Sequence, residues 1–253
     1  MAKTVMKSNS PTNLRRTKVN LHTPKNTDTM RQGHKALKWI VHARRTEGES
    51  ANLYLINSLR VRQGNLRAVI KSATTTSIHE LFSHEKNICY LIPKYQREYS
   101  WNKDHWTALF NDLMGEDALA GHFLGTIIGI DKTESIFDRH SLEVVDGQQR
   151  LTTVTLLLIA IYSQLLERKN EITDEDRLSD ISNLRRMLVT IDPLGPRVQL
   201  QNQNFNSDDF IDVLHDGGTG IGELKRKNSG HRKIKKAYKF FKVCLESRMA
   251  EAS

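Results

Sequence analysis

Cysteine is almost missing from this chain of 253 residues: Cys89 and Cys244 are the only two, far apart in sequence. They can supply neither a disulfide framework nor a paired-cysteine zinc site, which fits a reducing cytoplasm and two thiols acting as small core residues. Long apolar runs are scarce as well. The longest, Val154 to Tyr162 with Thr155 inside it, falls far short of the roughly 20 residues that cross a bilayer. The N-terminus lacks the apolar core of a signal peptide, so neither export nor a membrane partner is expected. None of the ten histidines stands in a His-x-x-His or His-Glu-x-x-His arrangement, so no nuclease metal centre is expected in this chain. Acidic residues are sparse at one end only. Residues 1 to 72 hold 15 Lys and Arg against 3 Asp and Glu, and the rest of the chain holds 23 against 26. The formal charge of +9 is therefore a property of the N-terminal part.

What is present is enough apolar side chain, 38% of residues, for a real core. The expected organisation is a basic, largely disordered or irregular extension over residues 1–72 and an α+β domain over 73–248. Residues 1 to 34 are rich in Ser, Thr, Asn, Lys and Arg, and offer too little apolar surface to offset the entropy of ordering. Leu37 to Val41 and Leu53 to Val61 carry a modest apolar pattern, compatible with one or two short helices or with an irregular appendage. A segment of this charge is drawn to nucleic acid by counterion release, and serves equally well as a solubilising extension.

From Thr74 the texture changes. Ile78, Leu81 and Phe82 suggest a short helix, and Ile88 to Ile92 a strand ended by Pro93. Trp106, Leu109, Phe110 and Leu113 recur at i, i+3, i+4 and i+7, with Asn102 placed to cap the helix they define. Strands are expected at Phe123 to Ile130 and Ser141 to Val145, then a helix from about Arg150 to Glu167, apolar nearly all round and so central. Further helices are marked by Ile181, Leu184 and Leu188 and by Ile234 to Leu245, with a strand at Val198 to Gln201 between them.

The chemistry is concentrated where the second strand meets the central helix, at Asp146-Gly147-Gln148-Gln149-Arg150 followed by Leu151-Thr152-Thr153. The first N–H groups of a helix have no intrahelical acceptor and its dipole is positive there, so an anion fits. Gly147 permits close backbone approach or a positive φ. Gln148 and Gln149 bring amides, Arg150 a planar fork suited to phosphate oxygens, and Thr152 and Thr153 hydroxyls. An isolated Asp-Gly turn with a solvated arginine would look the same. A second segment, Pro93-Lys94-Tyr95-Gln96-Arg97-Glu98-Tyr99-Ser100-Trp101, packs aromatics and cations densely enough to hold a base and its phosphates. It could equally be a loop whose rings pack under the Trp106 helix.

Together with His122-Phe123-Leu124-Gly125-Thr126, these two segments resemble the N-terminal domain family of GmrSD-type, modification-dependent restriction proteins. That family shows Ile-Pro-x-Tyr-Gln-Arg-x-Tyr-x-Trp, His-Phe-x-Gly and Val-Asp-Gly-Gln-Gln-Arg-Leu-Thr-Thr in this order. Here they stand unbroken at Ile92 to Trp101, His122 to Gly125 and Val145 to Thr153. The resemblance covers about Ser77 to Leu245.

The resemblance implies a ParB/sulfiredoxin-like nucleotide-binding domain with a following helical part, in which the Asp-Gly-Gln-Gln-Arg turn binds a nucleoside triphosphate and in some members hydrolyses it. By that carry-over Gly147, Gln148, Gln149 and Arg150 hold phosphates, joined by Thr152 and Thr153. Arg97 approaches from the neighbouring strand end beside Gln96, converging with Arg150 on one small pocket, and Tyr95 or Trp101 flanks the base. Asp146 orients water or Mg2+, with Arg150 as its catalytic companion; capping the turn is the plainer role for that carboxylate. The function implied is a regulatory domain of an anti-phage restriction system, a candidate NTPase whose nuclease is encoded separately. Two other readings stand beside it: a DNA-binding module using the basic N-terminal arm and the Arg97 face without turnover, and an inactive truncated remnant.

Overall fold

The computed structural model describes residues 52–60, 69–114, 123–133, 139–201, 205–222 and 232–250. Among these, six helices accompany a six-stranded mixed sheet and a separate two-stranded hairpin. In chain order the elements are β1 (Asn52–Arg60), β2 (Val69–Ser77), α1 (Ile78–Leu81), β3 (Cys89–Ile92), α2 (Lys103–Met114), β4 (Phe123–Asp131), β5 (Ser141–Asp146) and α3 (Gln148–Glu167). They continue as α4 (Glu175–Leu188), β6 (Val189–Ile191), β7 (Leu194–Pro196), β8 (Val198–Leu200), α5 (Phe205–Asp216) and α6 (Lys233–Ala250).

The large sheet runs β2-β1-β4-β5-β3-β8. Its outer pair β1/β2 and the inner pair β4/β5 are antiparallel, while β1/β4, β3/β5 and β3/β8 are parallel. Parallel pairing of β3 with β5 makes the chain leave both strands at the same end, which brings the loop after β3 beside the turn after β5. α2 intervenes between them in sequence and starts as expected, Asn102 Oδ1 accepting from the His105 N–H at 3.3 Å.

Helix α3 is the centre of the fold. Every residue from Leu151 to Gln164 is buried, and the helix packs against α4, α5 and α6. It is long and apolar enough to cross a membrane, yet 83% of that window lies buried within the fold, so here it is a core helix.

One feature departs from the sequence expectation, and a second has no counterpart in it. Asn52–Arg60 and Val69–Ser77 are strands, where short helices or an irregular appendage were expected, and the boundary drawn at residue 73 falls inside β2. The reason is physical. A short apolar run does not distinguish the two periods, the β-branched stretch Thr74-Thr75-Thr76 favours extended backbone, and β4 offers β1 an open edge to pair with. The rest of the basic extension, 1–51 and 61–68, lies outside the described residues. The second is Arg197, 1% exposed. It donates from Nη1 to the Ile88 carbonyl at 2.9 Å and from Nη2 to the Arg186 carbonyl at 2.7 Å, tying the approach to β3 to the end of α4.

Candidate functional site

The Asp-Gly turn closes β5 and opens α3 in a left-handed conformation, Gly147 having φ 85°. A Cβ there would stand 2.7 Å from the Thr126 carbonyl oxygen, so the glycine is required by the approach of β4 before any ligand is considered. Asp146 Oδ1 accepts from the Gly147 N–H at 2.8 Å, and the aspartate is exposed. The plainer role, an aspartate that caps its own turn, is the one its contacts display.

Arg150 turns toward β4. Its Nη1 donates to the Thr126 carbonyl at 3.3 Å, and its guanidinium lies flat against Gly125, where an added Cβ would come within 2.6 Å of the arginine Cζ. Gly125 has φ +102°, so the third motif of the sequence provides a bare, bent backbone on which this cation rests. Burial lowers the guanidinium pKa, and the Asp146 carboxylate pulls it back up. Arg97, on the loop after β3, is exposed; two guanidiniums cannot bond each other, so convergence with Arg150 would show only through a shared anion.

The glutamines serve the loop. Gln148 and Gln149 are each 7% exposed. Gln148 Nε2 donates to the Arg97 carbonyl at 3.2 Å and Gln149 Nε2 to the Glu98 carbonyl at 3.1 Å. Gln149 Oε1 in turn accepts from the Ser100 N–H at 2.8 Å. Gln96 Nε2 reaches back to the Val145 carbonyl at 2.8 Å, and the Tyr95 hydroxyl donates to Glu143 Oε1 at 2.9 Å. The loop of residues 93–101 is thus stitched along β5 and the first turn of α3. The carry-over assigned these amides to phosphates; in the absence of ligand they hold backbone.

Below the loop the hydroxyls are also committed. Thr153, fully buried, donates to the Gln149 carbonyl at 2.7 Å and shares a 2.8 Å hydrogen bond with the Tyr99 hydroxyl, which accepts from Trp106 Nε1 at 2.9 Å. Burial pushes the Tyr99 phenol well above its ordinary range. Thr152 is 3% exposed. Trp101 is half-buried and stacks on His105, ring centroids 5.4 Å apart. The outward-facing residues of the loop include Tyr95, 68% exposed, with Lys94, Arg97 and Glu98. His122 lies outside the described residues.

Sequence reading missed one neighbour of this site. Lys233, at the start of α6, donates to the Ser100 carbonyl at 3.4 Å, so a helix some eighty residues downstream of α3's start reaches the loop. No group of three or more His, Cys, Asp or Glu able to hold a metal exists among the described residues. A divalent cation at Asp146 would need the ligand's own phosphate oxygens and water for the rest of its shell.

A family model described as "GmrSD restriction endonuclease, N-terminal domain" matches residues 78–250. None of the curated proteins matches this chain.

Proposed function

Because this chain belongs to the family of GmrSD restriction endonuclease N-terminal domains, we propose that it is the nucleoside-triphosphate-binding regulatory component of a restriction system. Its candidate site is the mouth of α3. The observation that carries this reading is the state of Arg150: a half-buried guanidinium beside the helix N-terminus whose five N–H donors make one hydrogen bond, at 3.3 Å, among the described residues. A cation held in place with donors to spare, next to amides that have no intrahelical acceptor, is suited to a phosphate.

The ligand-facing set in this reading is narrower than the motif. Arg150, the backbone of Gly147 to Gln149, and Arg97 meet the phosphates, and Tyr95 is the exposed ring available to a base. Gln148, Gln149 and Gln96 hold the loop, and Thr152 and Thr153 belong to the core beneath it. Asp146 orients Mg2+ or water once a phosphate shares the coordination. We extend the same reading to a ParB/sulfiredoxin-like ancestry for the sheet, a cytoplasmic setting and a separately encoded nuclease.

Calorimetric titration with each of the four ribonucleoside triphosphates tests it, with Arg150→Ala as the comparison. Charge-assisted hydrogen bonds contribute about 1.5–3 kcal/mol each, so the variant is expected to bind one to two orders of magnitude more weakly. Absence of heat with all four nucleotides, with and without Mg2+, would sink the reading.

A further inference from the structure

From Leu224 to Leu245 the sequence holds nine Lys and Arg and no Asp or Glu. The structure sorts the described members of this run by partner and exposure. Lys235 bonds Asp209 and Asp212 of α5, whose side chains are each 5% exposed, and Lys242 bonds Glu167 of α3 at 2.8 Å. These two, seven residues apart, lie on one face of α6 and clamp it to the core. Arg232 also lies within the field of Asp209.

Lys236 and Lys239 lie nearer solvent, Lys239 one turn above Lys235 and Lys236 next to it around the helix. Both are exposed, with no ion pair among the described residues, and Val243, 59% exposed, continues their face at i+7 from Lys236. Lys233 extends the row backward by three residues to the loop at Ser100. At 1.5 Å per residue, Lys233, Lys236 and Lys239 form a row about 9 Å long, between two and three nucleotide rises of about 3.4 Å on one strand. Lys94 and Arg97 are exposed on the same loop, together with the acid Glu98, and neither cation has an ion pair among the described residues. Like charges at this spacing repel by a few tenths of a kcal/mol per pair, and the inward lysines' carboxylate partners show that the fold supplies acids where it uses cations for packing. Among the described residues, no acid forms an ion pair with this row.

We infer that the outward row of α6, Lys233, Lys236 and Lys239, is a docking surface for the phosphodiester backbone of duplex DNA, held by charge without base contacts. An anionic membrane suits it less, because interfacial helices insert a broad apolar face and Val243 is the exposed large hydrophobic residue of this helix. The inference does not depend on nucleotide binding at α3.

The full chain is titrated onto a fluorescent duplex of about 20 base pairs across a salt series, read by anisotropy. Lys236→Glu with Lys239→Glu is compared with Lys86→Glu with Lys169→Glu, exposed lysines outside the α6 row that change net charge equally. Each phosphate contact contributes about 0.9 to the slope of log affinity against log salt, so the α6 pair is expected to lower that slope by about two and to weaken binding at least tenfold at low salt. The control pair leaves the slope within about half a contact. Equal loss in both pairs, an unchanged slope in the α6 pair, or no binding by the unaltered chain at low salt overturns the inference. Lys236→Gln with Lys239→Gln, which adds no acid, must show the same slope change, and thermal melts confirm that each variant folds.

Discussion

If Gln149 holds the loop, replacing it with alanine should release Ser100 before it does anything to a ligand. The side chain is 7% exposed and carries two good hydrogen bonds, from the Ser100 N–H at 2.8 Å and to the Glu98 carbonyl at 3.1 Å. At a net value near 1 kcal/mol each, Gln149→Ala removes about 2 kcal/mol of tether. At about 1.4 kcal/mol per decade, that makes opening of the loop about thirtyfold more frequent. Amide hydrogen exchange of the unliganded protein reads this directly: exchange at Ser100 should rise by about that factor, while amides in the middle of α6 keep their rates. Gln149→Glu sharpens the test, since its carboxylate still accepts from Ser100 but faces the Glu98 carbonyl with no donor, so it should recover part of the protection. Unchanged exchange at Ser100 in Gln149→Ala would refute the strap. The strap also has a binding signature. Residues acting through one another are non-additive, so Gln148→Ala should cost nucleotide affinity in the native background and nearly nothing once Arg97→Ala has removed the group it positions. Full additivity would return the glutamine to direct phosphate contact, whereas loosened exchange with no nucleotide binding at all would spare the strap and sink the proposed function.

Two further outcomes follow from buried polar groups. Tyr99→Phe deletes the hydroxyl that accepts from Trp106 Nε1 and bonds Thr153, leaving a buried indole N–H without its acceptor. Denaturant unfolding should show a loss of about 1–3 kcal/mol. Lys235→Met strips Asp209 and Asp212 of their lysine, at an expected cost near neutral pH of about 3–5 kcal/mol. Burial already raises the Asp209 pKa and Lys235 holds it down, so in the variant the folded state binds its proton more readily than the unfolded chain does. The variant's stability deficit should therefore shrink as pH falls from 7 toward 5, read by denaturant midpoints; a deficit that widens on acidification would contradict the assignment.

Where side-chain periodicity was long, the elements were legible: α2 and α6 follow from their i, i+3, i+4 and i+7 rows, and α3 from apolar residues on every side. The strand-turn-helix at the Asp-Gly pair was legible because glycine after a β-rich run marks a break. The β6–β7 hairpin was not, since three-residue strands are too short to show alternation. β1 was not legible, because its short apolar run in Asn52–Arg60 fits a helical as well as an extended period, and it holds a single β-branched residue, Ile56.

The site was legible at the level of which segments meet and not of which atoms face a ligand. Motif order placed residues 93–101 beside 146–153, and parallel pairing of β3 with β5 brings them together. Amides, though, do not announce their partners. Gln148 and Gln149 pair with the Arg97 and Glu98 carbonyls of the loop, a partnership set by tertiary packing alone. The charge of α6 was hidden by another kind of averaging. Summed over residues 73–253 the balance is −3, yet of the 26 acids only Asp209, Asp212 and Glu167 pair with lysines of α6 among the described residues. Cancellation in the sum is not cancellation in space: the cations those acids do not reach are left on the outer face, where a partner can read them.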